Sequence, residues 1–224
     1  MQKTGSPSLR EGYQHSRQGE GAPAFCKEGG DTVCITDVLS AIIQKIVFFS
    51  PQFEHIDMRY VLVSLGFNRP SSRGYIRGKL VPLRFKNGQK ETVHKGRSFR
   101  MQGVIYEGVE QLYVIYFYSP QFFDLPPYEK LRVIFHELYH ISPEFNGDIR
   151  RMGEKKIAHG HSRKKFDSFF EEEVKRFGEH LANTDFFEFL SFSMNDFHEK
   201  FKNVIYLKVK TPGAVLLKDH DKTG

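Results

Sequence analysis

The sequence contains no tryptophan, two cysteines in 224 residues and no long apolar run. Because no stretch approaches 18 consecutive apolar residues, the sequence offers no membrane-spanning helix. Its first residues are polar and lack the apolar centre of a secretory signal, so we expect a cytoplasmic protein that has no membrane partner. In that compartment Cys26 and Cys34 are expected to be reduced thiols.

The distribution of apolar residues divides the chain into three parts. Residues 1–33 are rich in Gly, Ser, Gln and charged residues, which predicts a disordered N-terminal tail. Residues 34–218 carry the apolar periodicity and are predicted to form one domain, and this length is sufficient for a sizeable core. Residues 219–224 are predicted to be a frayed C-terminus.

The most informative segment is an H-E-x-x-H motif, formed by His136, Glu137, Leu138, Tyr139 and His140. Residues four apart lie on one face of a helix, so the two histidines can present their imidazoles to one point. Zn²⁺ accepts histidine nitrogen at about 2.0–2.1 Å in a tetrahedral shell. Glu137 follows the first ligand and could reach a metal-bound water as general base. The alternative is a helix with two surface histidines and a solvated glutamate.

The sequence around the motif favours a buried helix over a surface helix. Pro126 and Pro127 are start signals, and Ser142-Pro143 ends the segment. Apolar residues at i, i+3, i+4 and i+7 form a stripe that can enter a core: Leu131, Ile134, Phe135 and Leu138. The adjacent face carries the histidines, and unpaired imidazoles in such an apolar sequence would be costly.

The remaining pattern predicts an α+β fold with an N-terminal helix, a small mixed sheet, the H-E-x-x-H helix and C-terminal helices. The first helix is predicted behind a Thr36-Asp37 cap and ends at Ser50-Pro51. Strands are predicted over Met58–Leu65, Tyr75–Phe85 and Leu112–Tyr118, of which the last is the strongest and is placed centrally. Pro82 makes Tyr75–Phe85 an edge strand. Residues 86–103 are predicted to be a polar connection.

Further elements are predicted in the last third of the chain. Ser162 is a suitable N-cap for a helix that carries Phe166, Phe169, Phe170, Val174 and Phe177. A second amphipathic segment is predicted from about Asp185 to Phe201, and Val204–Val209 is predicted as a last short strand.

A catalytic zinc site needs a third protein ligand besides the two histidines of the motif. We favour His159, because Gly160 lets the backbone turn sharply between the ligand and the following helix. His161 is the alternative third ligand. The other downstream candidates are Glu171, Glu172, Glu173 and His180.

One segment also carries a family resemblance. Residues 135–151, FHELYHISPEFNGDIRR, followed by Ala158-His159-Gly160 and by residues 162–167, SRKKFD, resemble the putative phage metallopeptidase family. The H-E-x-x-H motif with a distant His-Gly is also similar to SprT-type minimal zinc proteases. The resemblance extends from about Phe53 to Phe170. It implies a zincin-like core, metal ligands at His136, His140 and His159, and Glu137 as the base.

Two groups of basic residues offer a different interpretation. The chain has a formal net charge of +6, and part of this charge is clustered. One group is Arg150, Arg151, Lys155, Lys156, Arg163, Lys164 and Lys165, and the other is Lys86, Lys90, Lys95, Arg97 and Arg100. Such patches can face nucleic acid or an acidic substrate. A nucleic-acid-associated module with a structural zinc site, bound by both His159 and His161, is therefore the alternative function.

The sequence thus predicts a zinc-dependent metallopeptidase that acts on a protein or peptide. Zn²⁺ would acidify a water molecule, and Glu137 would take its proton and deliver it to the leaving amine. The identity of the substrate, its cleavage specificity and the oligomeric state have no signal in the sequence.

Overall fold

A computed structural model describes residues 31–67, 75–151 and 168–219 of the chain. The α-helices in these ranges are α1 (Ile35–Phe49), α2 (Pro127–Tyr139), α3 (Glu171–Leu181), α4 (Asp185–Ser191) and α5 (Met194–Lys200). The strands are β1 (Thr32–Cys34), β2 (Val61–Phe67), β3 (Gly78–Pro82), β4 (Glu91–His94), β5 (Arg97–Met101), β6 (Ile105–Tyr106), β7 (Val109–Glu110), β8 (Tyr113–Ser119), β9 (Asn203–Ile205) and β10 (Ala214–Asp219). The mixed α+β class predicted from the sequence is confirmed at this level.

The central sheet has the strand order β2-β8-β3. β8 pairs with β2 in parallel and with β3 in antiparallel orientation, so the sheet is mixed, and β8 occupies the predicted central place. No other strand in the described ranges pairs with the far side of β3. The edge position predicted from Pro82 is therefore confirmed, although the strand is shorter than predicted.

The two faces of this sheet are buried by different parts of the chain. Alternate residues along β8 point to opposite faces. Tyr113, Ile115 and Phe117 pack with the helices in the main core, whereas Val114 and Tyr116 belong to a smaller cluster on the other face. That smaller cluster is covered by Val104, Tyr106, Leu207 and Val209. Because both faces are covered, aliphatic and aromatic residues occupy every position of β8 except Ser119.

Helix α1 forms because its apolar residues recur at helical spacing, and the whole predicted stripe is buried: Val38, Leu39, Ile42, Ile43, Ile46 and Val47. The helix ends as predicted before Pro51, with the Ser50 N–H bonded to the Ile46 carbonyl. Its start differs from the prediction, because Cys34 is the N-cap and Thr36 lies inside the helix. The Thr36 hydroxyl instead accepts a hydrogen bond from the Leu207 N–H.

The C-terminal helices are shorter than predicted. α3 begins at Glu171, so Phe169 and Phe170 lie in the turn before it, and the predicted cap Ser162 lies outside the described residues. The segment from Asp185 to Phe201 divides into α4 and α5. The division falls at Ser193, whose side chain accepts from the Asp196 N–H while Asp196 accepts from the Ser193 N–H.

A second sheet, of order β4-β5-β10, corrects the prediction of a polar connection over residues 86–103. β4 and β5 form a hairpin around Lys95 and Gly96, which both have positive φ, at 49° and 67°. Two central residues of positive φ match the right-handed twist of paired strands. β10 pairs with β5 up to Asp219, so the predicted frayed C-terminus begins one residue too early.

The predicted boundary of the N-terminal tail also shifts. Thr32 and Val33 belong to β1, which pairs in parallel with β9, and the Val33 side chain is fully buried. The rest of the predicted tail, residues 1–30, lies outside the described residues. Within the described ranges, no helix combines the length and the apolar character needed to cross a bilayer.

Candidate metal centre

The histidine pair lies at the end of α2, a helix whose apolar face is buried in the main core. Leu131, Ile134, Phe135 and Leu138 are fully buried, as the predicted stripe requires. Pro126 is the N-cap and Pro127 the first residue of the helix, in agreement with the start signals. His136 and Glu137 are each only 6% exposed, so they lie at the margin of the core rather than on a solvated surface.

The second histidine lies beyond the last full turn. α2 ends at Tyr139, and His140 is its C-cap with φ −73° and ψ −18°, which is still close to helical. The four-residue relation between the two imidazoles is therefore kept. The Arg150 N–H donates 2.7 Å to the His140 carbonyl, so the chain that follows the helix also holds this residue.

The two imidazoles converge at one point. His136 Nε2 and His140 Nε2 lie 3.2 Å apart, and the ring planes are inclined by 81°. Two nitrogens at about 2.0–2.1 Å from a tetrahedral zinc ion would be separated by roughly 3.3–3.4 Å. The spacing of the two nitrogens is therefore close to that of adjacent corners of one tetrahedral shell.

The carboxylate of Glu137 points to the edge of the central sheet. Its Oε2 accepts a hydrogen bond of 2.7 Å from the backbone N–H of Leu80 in β3. Gly78, two residues earlier in β3, lies against the same side chain: a Cβ on this glycine would be 2.9 Å from Cγ and Oε1 of Glu137. The contact joins residues 57 positions apart, and the sequence did not predict it.

The two residues predicted as third ligand cannot be placed. His159 and His161 both lie outside the described ranges, and within those ranges no group of three His, Cys, Asp or Glu residues could hold a metal ion. Three of the remaining candidates have other partners. Glu171 pairs with Arg132, Glu173 accepts from Gln52, and the His180 ring packs on Phe49.

The turn that follows α2 is held by residues that the sequence did not single out. Asp148 is 6% exposed, and its carboxylate accepts from the Asn87 and Ile149 N–H groups and from the Arg151 guanidinium. The Tyr113 hydroxyl donates 2.9 Å to the Asp148 carbonyl and accepts 2.9 Å from the Gly147 N–H. Burial raises the pKa of Tyr113 to about 12, so its hydroxyl stays protonated.

Four described members of the two basic groups contact other residues of the chain. Arg150 lies over the Tyr139 ring at 4.3 Å, and its Nε donates to the Tyr139 carbonyl. Arg151 pairs with Asp148, Lys90 with Glu110, and Arg100 with Glu91. Lys155, Lys156 and residues 163–165 lie outside the described ranges, so nucleic-acid contact stays a prediction.

A cavity of about 940 Å³ lies away from the histidine pair, between α1, β2 and the turn around Glu107. Neither His136, Glu137 nor His140 lines it. The site is thus defined by the convergence of side chains at the end of α2 and not by this cavity.

An α+β scaffold whose helix offers two imidazoles and an adjacent carboxylate is typical of metal-dependent hydrolases. A family model described as putative phage metallopeptidase matches residues 34–201 of the chain, and the chain belongs to this family. The membership predicted from the motif is therefore confirmed, and the family implies a metal cofactor. The match extends beyond the predicted limits of Phe53 and Phe170 and includes α1 and all the C-terminal helices.

Neither the curated proteins nor the solved structures include a match to this chain.

Proposed function

We propose that this chain is a zinc-dependent metallopeptidase that hydrolyses peptide bonds, with Glu137 as general base. The observation that carries the proposal is the 3.2 Å approach of the His136 and His140 Nε2 atoms, beside Glu137 on the same helix. Membership of the metallopeptidase family supports it. Two imidazoles favour zinc over calcium or magnesium, which prefer oxygen ligands.

Each residue has a distinct role in the proposed reaction. His136 and His140 would hold the metal, together with His159 or, alternatively, His161. When bound, zinc supplies Lewis acidity, which acidifies a water molecule and polarises the scissile carbonyl. Glu137 would take the water proton and deliver it to the leaving amine, which is the usual role of a carboxylate that adjoins a metal ligand in this motif.

Within the described ranges no strand pairs with the outer edge of β3, and such an edge suits an extended peptide. The Tyr118 N–H donates to the Arg77 carbonyl and the Leu83 N–H to the Leu112 carbonyl, so the odd-numbered residues of β3 face β8. Backbone groups of the even-numbered residues Gly78, Leu80 and Pro82 point away from β8, to the outer edge. A substrate could add there as a further strand.

The outward edge of β3 offers more acceptors than donors. Pro82 has no N–H, and the Leu80 N–H already bonds to Glu137, so Gly78 supplies the one remaining N–H of these three residues. All three carbonyl oxygens point outward. We therefore propose that the substrate main chain binds mainly through its own N–H groups.

Metal dependence tests the proposed function. The purified chain is stripped of metal with a chelator and then supplied with Zn²⁺, Mg²⁺ or Ca²⁺, and hydrolysis of unfolded casein is measured. We expect that hydrolysis is lost on stripping and is restored by Zn²⁺ alone among the three ions. Undiminished hydrolysis by protein whose metal content is below detection would refute the proposal.

A further inference from the structure

The contact between α2 and β3 gives the candidate base a rigid support. The Leu80 N–H is a backbone donor whose direction is fixed by the pairing of β3 with β8, so it has no rotamer to adjust. The Glu137 side chain, in contrast, has several rotatable bonds, and its bond to this donor selects one arrangement of the carboxylate. Glu137 has other interactions as well, but this one comes from the edge where a substrate would bind.

The room for the carboxylate comes from Gly78. A Cβ at this position would lie 2.8 Å from Val133 Cγ1 and 2.9 Å from both Cγ and Oε1 of Glu137. Real Cβ atoms essentially never approach other heavy atoms so closely, so one of these side chains would have to move. Gly78 is not among the residues of positive φ. The glycine is therefore required by the close approach of the helix and not by the backbone conformation.

The Leu80 N–H and Gly78 both belong to β3, and both lie against the Glu137 side chain. We propose that β3 positions the general base: the Leu80 N–H orients the Glu137 carboxylate, and the absence of a side chain at Gly78 leaves the space that the carboxylate occupies. Gly78 and Leu80 are thus positioning residues for the hydrolysis proposed above, on which this inference rests. A catalytic group must be held in place because displacement by about 1 Å can cost roughly 10²-fold in rate.

Amide hydrogen exchange tests the hydrogen bond without substrate or metal. The exchange rate of the Leu80 N–H is measured in the parent chain and in the Glu137→Gln and Glu137→Ala variants. Gln keeps an acceptor oxygen, so we expect exchange close to that of the parent, whereas Ala removes the acceptor and should accelerate exchange at Leu80 by at least about tenfold. Equal exchange rates in the parent and in Glu137→Ala would overturn the proposal. This readout does not depend on activity, so it stays interpretable if the proposed hydrolysis fails.

Substitution of the glycine tests the second half of the proposal. Gly78→Ala should retain the metal, accelerate Leu80 exchange and lower kcat by about 10²-fold with a smaller change in KM, because the base is displaced while the metal ligands are not. Val133→Ala and the Gly78→Ala/Val133→Ala double variant are the matched controls. Val133→Ala alone should keep metal and hydrolysis, and the double variant should stay impaired because the Glu137 contact persists. Full recovery in the double variant would show that Gly78 serves only helix packing and would refute the positioning role.

Discussion

The hydroxyl of Tyr113 donates a hydrogen bond of 2.9 Å to the carbonyl oxygen of Asp148. Tyr113 begins the central strand β8, and Asp148 lies in the turn that follows the candidate metal helix, so the bond ties this turn to the rigid centre of the sheet. The same hydroxyl accepts from the Gly147 N–H. The structure thus fixes the chain on both sides of His140: the core holds α2, and Tyr113 holds the turn.

Removal of this hydroxyl is expected to destabilise the fold. Tyr113→Phe leaves the buried Gly147 N–H without its acceptor and removes one of two donors to the Asp148 carbonyl, the other being the Ser142 N–H. The loss should lower the free energy of unfolding by about 1–3 kcal/mol. Urea denaturation measures the change. The matched control is Tyr75→Phe, because Tyr75 is 56% exposed, and its substitution should change stability by less than about 0.5 kcal/mol. Equal stability of Tyr113→Phe and the parent would contradict the role of the bond.

Lys130 predicts a pH dependence of stability. This lysine of α2 is 1% exposed, and its Nζ donates to the carbonyl oxygens of Leu190 and Phe192, which joins α2 to the segment around α4. Burial lowers the pKa of Lys130 from 10.5 to about 8, against the opposing effect of Asp124 and Asp196.

The sign of the effect follows from proton binding. Between pH 8 and 10.5, Lys130 is protonated in a larger fraction of the unfolded chains than of the folded chains. The contribution of Lys130 to the free energy of unfolding therefore increases with pH in this range. Below pH 8 both states are protonated and the contribution is constant. The free energy of unfolding of the parent, relative to Lys130→Met, should therefore increase from pH 7.5 to pH 10. A relative stability that is flat or falls over this interval would show that burial does not lower the pKa of the folded lysine.

Most of the long elements could be predicted because their signal is local. The apolar stripe of α1 recurs every three to four residues, the β8 sequence is apolar on both faces, and α2 begins at two prolines. None of these requires knowledge of a distant partner. The family resemblance was likewise carried by the continuous segment after Phe135, and the family match confirms it.

The elements that were missed depend on distant partners or on polar surfaces. β1 is a strand only because β9 lies beside it, and these residues are 171 positions apart. β4 and β5 consist largely of exposed polar residues, so they lack the alternation of apolar and polar residues that predicts a strand. The Lys95-Gly96 turn between them could have indicated a hairpin. The break at Ser193 could have been found from its spacing to Asp196, which is that of a capping box.

At the candidate site, the sequence predicted the residues of the motif but not the strand residues that contact Glu137. His136, Glu137 and His140 were evident from one pentapeptide, because the helix period brings the two histidines together. The Leu80 donor and the space at Gly78 come from a strand more than fifty residues earlier, and only the folded sheet brings them to α2.

The third metal ligand can be identified by paired substitutions. We expect His159→Ala to weaken zinc binding and hydrolysis together, because a catalytic zinc site needs three protein ligands, and we expect His161→Ala to spare both. Competition with a chromophoric chelator measures the affinity for zinc. The reverse pattern would assign His161 as the ligand. Loss of zinc in both variants would indicate a closed four-ligand site, and would contradict a catalytic role of the metal.

The first two ligands are tested by metal content. The parent chain should contain about one zinc per molecule, and either His136→Ala or His140→Ala should reduce the content to near zero, because each removes one of only three protein ligands. Elemental analysis gives the ratio, and His94→Ala, at an exposed position in β4, is the control that should keep it. Full zinc retention in both ligand variants would show that the ion binds elsewhere.

The most direct test of the proposed mechanism removes the general base and leaves the metal ligands unchanged. Glu137→Gln keeps the size of the side chain and an acceptor for the Leu80 N–H, but it removes the group that takes the proton. We expect zinc content and thermal stability close to those of the parent, with casein hydrolysis reduced by about 10²–10⁴-fold, which is the usual contribution of general-base catalysis. If the zinc-loaded Glu137→Gln chain hydrolyses casein as fast as the parent, the proposed metallopeptidase mechanism is wrong.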